Sequence, residues 1–320
     1  VDPARPLWNP EDLLRRLSER APAYAAAPEQ VDADAPPGLL AERIIAGRGA
    51  ALPVELSPPE LLRRVPVEVP GARYDVLVGR GLLAQLGDLV GGVGKGPIAL
   101  LTDWNVGALH GDRAEAALAS TGRTVLRVTL PAGERGKAMA PVLKAIDRLL
   151  NHGWQREGPV VALGGGVLGD MAGLVAALTL RGLPFVQVPT SLLAMVDSSV
   201  GGKVGVNHRT GKNLLGAFHQ PRLVVADLDV LDTLPDRELR AGLGEAAKTA
   251  LLGDLDLLAL LEGAPERLLG REAEALADVV ERCVRFKAGV VAADEREADL
   301  RRILNLGHTL GHALENGLGY

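Results

Sequence analysis

An α/β fold built on a parallel sheet, followed by an all-helical part, is what the sequence predicts, and three observations carry the expectation. Short apolar runs alternate with amphipathic stretches from residue 65 to residue 226. Glycine clusters fall where apolar runs end. After residue 235 helical patterns follow one another with no strand between them. Strands that alternate with helices imply a parallel sheet with its sites at the carboxyl ends of the strands. The expected divisions are a tail and linker over 1–62, an α/β domain over 63–235 and a helical domain over 236–320. With 320 residues, 47% of them hydrophobic, the chain can bury such a core.

Residues 1–62 are rich in proline and alanine, and 30–37 (QVDADAPP) reads as a linker. Before it, 9–20 has the pattern of an amphipathic helix, with Asn9 as N-cap, Pro10 in the first turn and Leu13, Leu14 and Leu17 on one face. Strands are expected over 65–69 and 74–78, joined through Pro70-Gly71-Ala72. A helix over 82–90 and a strand over 98–102 follow, the strand ending at Asp103. A carboxylate there can accept ribose hydroxyls, and the same position suits a helix cap. Next come a helix over 112–120, a strand over 125–129, a turn over 131–135 and a helix over 139–151.

Residues 158–220 organise the chain, because isolated charges sit there among glycines and apolar runs. A buried strand over 159–163, a tight loop over 164–169 and a helix over 171–180 are expected. Glycines in such a loop let main-chain N–H groups approach a phosphate at a helix N-terminus, and a purely steric need for glycine gives the same pattern. Gly164, Gly166 and Gly169 fit G-x-G-x-x-G, yet Pro189 and Thr190 stand where the usual acidic residue would be. Lys203, Lys212 and Asn213 lie among glycines in segments poor in other charge, a setting that favours a grip on an anionic ligand. A strand over 223–226 and a connector over 227–235 lead to helices over 236–252, 255–261, 271–294 and 301–316.

The formal net charge of −5, without a long basic block, favours neither nucleic acid nor an anionic membrane as partner. Asp170, Arg181 and several glycines interrupt the apolar runs before they reach the roughly 18 to 20 residues of a membrane span. The one cysteine, Cys283, makes no intrachain disulfide, which fits a reducing cytosol, and reads as a buried structural thiol. No signal peptide is visible, and the chain begins with Val1, so a longer parent protein is expected. In the helical part Glu245 and Lys248 share a helix face, and so do His308 and His312. The first pair reads as a surface ion pair when taken alone. The histidines, four apart, can clasp one metal with a carboxylate from another helix, or cap and pack.

Taken together, G-G-G-x-x-x-D at Gly164 to Asp170, R-G at Arg181, P-T-S at Pro189, D-S-S-V-G-G-K-x-G-V-N at Asp197, G-K-N at Gly211, and the helical E-x-x-K and N-x-G-H-T-x-G-H resemble the 3-dehydroquinate synthase family from Val65 to Tyr320. The resemblance implies a dinucleotide-binding α/β domain and a metal- and substrate-binding helical domain. It implies a cytoplasmic enzyme of aromatic amino acid biosynthesis that uses NAD and Zn2+ or Co2+ to convert 3-deoxy-arabino-heptulosonate 7-phosphate, a phosphorylated sugar acid, to 3-dehydroquinate and phosphate. A homodimer is expected. By motif, Glu245 and His308 would be metal ligands, so His312 becomes a catalytic neighbour rather than a ligand. Lys203, Lys248, Lys287, Arg301, Asn305 and His312 would hold the substrate and assist proton transfer. Asp197 would orient Lys203 or the substrate, while Arg181, Lys212 and Asn213 would grip phosphate or carboxylate. Asp103, Glu134, Gly165, Gly166, Asp170, Thr190 and Ser191 would line the NAD site.

The family's third metal ligand, another histidine, is expected beyond Tyr320. Arg5-Pro6-Leu7-Trp8, Leu13 to Leu17, Arg20 and Pro22-Ala23-Tyr24 resemble the closing segment of shikimate kinase, although G-x-x-x-x-G-K-[ST] does not occur, and a fusion of the two proteins is expected. Rival readings are a related cyclase, such as 2-deoxy-scyllo-inosose synthase or aminodehydroquinate synthase, a metal-dependent polyol dehydrogenase, and a non-catalytic dimerising module.

Overall fold

The computed structural model describes residues 59–297 and 299–307. The expected helix over 9–20, the linker over 30–37, His308 and His312 lie outside the described residues. All described residues fall in one compact unit, Leu56–Tyr320.

A seven-stranded sheet in the order β1-β2-β9-β6-β5-β3-β4 forms the centre. β1 (Glu60–Val69) and β2 (Ala72–Arg80) are an antiparallel hairpin at one edge, closed by Pro70 and by Gly71 at φ 80°. That positive φ suits glycine, as the second central residue of a tight turn requires. Because β1 starts at Glu60, the division expected between 62 and 63 falls inside a strand. Parallel pairing joins β2 to β9 (Leu223–Asp227), β6 (Phe185–Pro189), β5 (Val160–Gly164), β3 (Ile98–Asp103) and β4 (Val125–Leu130). The apolar residues at β6 had not singled out a strand, since its only punctuation is Pro184 and Pro189.

Period-two alternation sends each strand's side chains to two cores. Ile98 and Leu100 face one, together with α2 (Asp112–Ala119), α5 (Asp236–Gly253) and α8 (Ala273–Ala293). Ala99 and Leu101 face the other, against α3 (Met139–Asn151) and α4 (Gly166–Leu178). Residues 82–90 form a 3-10 turn followed by the short helix α1 (Leu86–Val90) rather than one helix. A helical turn at Trp104–Val106 and a π-helical turn at Gly107–Gly111 precede α2, where no element had been expected.

The helical part begins at Asp236, one residue after Pro235, as its sequence predicted, and α6 (Leu255–Gly263), α7 (Pro265–Leu269) and α8 follow. Its apolar face does not form a separate core: Leu239, Ala246, Val280 and Val284 join the same cluster as Val65, Val76 and Val224 of the sheet. Arg63 of β1 fastens α8 from outside through ion pairs to Glu274, Asp278 and Glu281, which recur on one helix face. Cys283 is buried on α8, and burial pushes its thiol up to about 12, so it is an inert packing residue. Over 300–305 the chain makes a 3-10 turn (Leu300–Asn305) instead of the expected start of an α-helix.

Candidate active site

The chain leaves β3 toward β4 on one side and β5 toward β6 on the other, so the carboxyl ends of β3 and β5 flank a topological switch point. Open α/β sheets bind ligands at such crevices. The expected six-residue loop there is shorter than predicted: α4 starts at Gly166, with Gly165 as its extended N-cap. Steric need accounts for Gly164 and Gly169, since a Cβ would lie 2.3 Å from Leu168 Cδ2 and 2.6 Å from Gln187 Oε1 respectively. Gly165 differs. A Cβ there would meet only Ser191 Oγ, at 3.5 Å, so the helix N-terminus opens toward Ser191 and leaves room for an anion.

Around this crevice the predicted cofactor residues are found at the ends of neighbouring strands. Thr190, buried after β6, donates its N–H to Gly164 O, and Ser191 Oγ accepts from Ala194 N. Asp103 Oδ1 accepts from Asn105 N and Val106 N at 2.9 and 3.0 Å, so this oxygen caps the following turn. Glu134, in a 3-10 turn (Glu134–Gly136) after β4, accepts from Asn207 Nδ2 at 2.7 Å.

Beside the crevice lies a cleft of 580 Å³ whose lining includes Asp170, Asp197, Lys203, Asn213, Lys248, Lys287, Arg301 and Asn305. Every one of these had been singled out in the sequence. Except for Lys248, whose partner Glu245 lies one helical turn away, its cations are held by carboxylates or carbonyls from distant parts of the chain. Lys287 of α8 donates to both Asp197 O and Asp197 Oδ1, each at 2.7 Å, in the π-helical turn Ala194–Ser198. Arg301 is buried and donates to Gly201 O at 3.0 Å and to Glu295 O; burial lowers its pKa. Asp170 pairs with Lys137 at 2.6 Å, and burial pushes its carboxyl up against the opposing pull of that lysine.

Several expectations are corrected by this geometry. Lys203, expected only as a lysine among glycines, opens β7 (Lys203–His208), which pairs with β8 (Gly211–Phe218) in a separate two-stranded sheet where no element had been expected. Its ammonium contacts Glu297, which also accepts from Asn305 Nδ2 at 2.8 Å. Burial alone would raise Glu297, but those two donors outweigh it and hold the carboxyl below its usual range. Glu245 and Lys248 do form an ion pair, yet not a surface one, their side chains being only 18% and 12% exposed. Close approach explains the burial: a Cβ on Gly242 would lie 2.6 Å from Leu192 Cβ, so α5 runs hard against the segment after β6. Arg181 lines a different cleft, with Arg73, Arg156 and Arg222, and Lys212 on β8 is not among the residues lining the first.

Lys137 and Glu297 had not been singled out. Lys137 is 5% exposed and binds Asp170 Oδ2 and Asn213 Oδ1, both at 2.6 Å. A lysine in a polar turn carries no local signal of such burial, because its partners lie 33 and 76 residues away. Among the described residues no group of three side chains is arranged to hold a metal. Glu245 supplies one largely enclosed carboxylate, the hard oxygen donor that a divalent cation accepts alongside imidazole nitrogen.

The model of the 3-dehydroquinate synthase N-terminal family matches residues 127–241, and that of the 3-dehydroquinate synthase C-terminal family matches 242–320. A 3-dehydroquinate synthase from Caulobacter vibrioides (strain NA1000 / CB15N) is 51% identical over 262 residues, 81% of this chain and 71% of that protein. Among solved structures, 2-epi-5-epi-valiolone synthase from Streptomyces hygroscopicus subsp. jinggangensis 5008, with NAD+ and Zn2+ bound, superposes with a TM-score of 0.71 at 35% identity, covering 78% of this chain and 69% of that one. A 2-deoxy-scyllo-inosose synthase complexed with carbaglucose-6-phosphate, NAD+ and Co2+ gives the same TM-score at 25% identity, covering 79% and 69%.

Proposed function

The chain belongs to the 3-dehydroquinate synthase family, and from that premise we propose that it converts 3-deoxy-arabino-heptulosonate 7-phosphate to 3-dehydroquinate and phosphate as an NAD-dependent, metal-requiring lyase. The observation that carries the reading is the convergence of eight predicted residues on one cleft beside the β3–β5 crevice. Gly165, Gly166, Thr190 and Ser191 suit the cofactor's pyrophosphate at the start of α4, where the missing Cβ of Gly165 leaves room. Glu245 with His308 would hold Zn2+ or Co2+. When bound, NAD takes and returns a hydride while the metal polarises substrate oxygens.

The chain's own side chains supply binding and orientation. Lys203 and Asn305 already meet at a carboxylate, that of Glu297, so a substrate carboxylate or phosphate finds its donors aligned. Asn213, backed by Lys137, offers a further amide at the same wall. Asp197 orients Lys287 through two hydrogen bonds, leaving the lysine fixed at the cleft rather than free to rotate. Lys248, tied to Glu245, stands where a proton donor close to the metal ligand is needed.

Phosphate release from the heptulosonate phosphate, compared with release from glucose 6-phosphate, tests the assignment. Release from glucose 6-phosphate alone would transfer the chain to the cyclases of aminocyclitol type, and net NADH accumulation to the polyol dehydrogenases. The curated relative at 51% identity outweighs the cyclases at 35% and 25%. We also propose a cytoplasmic homodimer, which sedimentation at micromolar concentration checks, with the α/β and helical domains divided near Pro235. Residues 5–24 are proposed as the end of a shikimate kinase fused upstream, to be read from the parent gene.

A further inference from the structure

The β7–β8 hairpin has an irregularity that the proposed chemistry does not use. Val206 pairs with Leu215 and His208 with Gly211, so the register shifts at Asn207. Opposite Asn207 stand three residues of β8, 212 to 214, and groups at such a bulge leave the ladder and bond elsewhere. Asn207 sends its main-chain N–H to Lys137 O at 2.9 Å and its side-chain Nδ2 to Glu134 Oε1 at 2.7 Å. Its Oδ1 accepts from Asn213 N at 2.9 Å. One amide therefore joins the turn that carries Glu134, on the cofactor side, to Asn213, on the anion side.

The orientation of that amide is dictated by its partners: a carboxylate only accepts, and a main-chain N–H only donates. Asn213 itself has φ 55°, a left-handed conformation uncommon for a residue with a side chain. Two bonds hold it there, one from its N–H to Asn207 and one from Lys137 Nζ to its Oδ1. If Glu134 is engaged by the cofactor, the carboxylate that holds Asn207 Nδ2 is itself fixed, and with it the amide that keeps Asn213 in the conformation that faces the cleft. We propose that Asn207 is a positioning residue that couples the two sites, so that cofactor bound near Glu134 raises the affinity for an anionic group at Asn213, and the anion does the same for the cofactor. Reciprocity follows from linkage. The inference rests on the cofactor and anion sites proposed above.

The test is calorimetric titration of inorganic phosphate into the full chain, with and without saturating NAD, for the wild type, Asn207→Ala and Asn207→Asp. Wild type should bind phosphate at least about fivefold more tightly with NAD present. Alanine removes both side-chain bonds, while aspartate turns a second carboxylate toward Glu134; each should bring the ratio to one with the melting temperature changed by no more than a few degrees. Hydrogen exchange at the Asn213 amide, slow in the wild type, should quicken in the alanine variant, which lacks the acceptor oxygen. A wild-type ratio of one, absence of phosphate binding in either condition, or variants that keep the wild-type ratio overturn the coupling. NAD binding that proceeds normally in those cases leaves the proposed function standing. No NAD binding by the wild type removes both.

Discussion

At the β3–β5 crevice the groups proposed to meet a ligand belong to the main chain of Gly165 and Gly166 and to the short side chains of Thr190 and Ser191. In the neighbouring cleft they are lysines, an arginine and amides, each cation already engaged by a partner within the chain. The crevice is assembled from residues that adjoin two strand ends, and no buried charge pair is needed to shape it. The cleft depends on pairs such as Lys287 with Asp197 and Lys203 with Glu297, whose members are 90 and 94 residues apart. Backbone geometry can be set by local sterics, whereas a charged cleft is only as well formed as the packing that brings its pairs together.

That contrast is best broken in the cleft. Lys287→Met removes two hydrogen bonds to Asp197 from a largely buried position and should cost about 3 kcal/mol of stability, read from urea denaturation. A loss below about 1 kcal/mol would put the pair with ordinary surface bridges. Lys203→Ala should behave differently, because the side chain is 45% exposed. Its melting temperature should hardly move, while phosphate release from the heptulosonate phosphate falls at least about 100-fold, roughly 2.7 kcal/mol in transition-state stabilisation. Turnover close to wild type would remove Lys203 from the substrate's anion site.

The crevice is sharpened by two adjacent substitutions. Gly164→Ala should destabilise the fold by about 1–3 kcal/mol, since the new Cβ meets Leu168 at 2.3 Å. Gly165→Ala should leave stability unchanged and weaken NAD binding about tenfold, close to 1.4 kcal/mol, by filling the space above the helix start. Equal loss of stability in both would mean that Gly165, too, is there for packing.

The smallest effect concerns His110, which lies in the π-helical turn before α2 and in neither set of binding residues. Its Nε2 contacts Thr233 Oγ1 at 2.8 Å, and burial, aided by Arg113, lowers its pKa to about 4 from 6.5. Because the folded pKa is the lower, the unfolded chain binds the proton first. The contribution to stability is whole above pH 6.5 and is lost as the pH falls toward 4. His110→Gln should therefore flatten the decline of melting temperature across that window, and an unchanged decline would assign it to other groups.

Sequence alone determined the strand–helix alternation, the position of the helical part after Pro235, the burial of Cys283 and most charged residues of the cleft. Each of these has a local cause: apolar periodicity, a proline at a helix start, or a motif whose spacing a resemblance can match. Asp103 was legible in part, as both a ribose acceptor and a cap fitted it, and the structure shows its Oδ1 capping. Tertiary structure alone decided that Gly164 and Gly169 are steric while Gly165 is open, because only packing against Leu168 and Gln187 separates them. It also decided that Lys203 starts a strand, that Glu245 and Lys248 are buried together, that Arg181 faces another cleft, and that Lys137 and Glu297 belong with the site. Apart from Gly164 against Leu168, four residues on, those outcomes turn on contacts between residues far apart in the chain, and a hydrophobic or charge pattern read over a dozen residues contains no information about which distant partner will be adjacent.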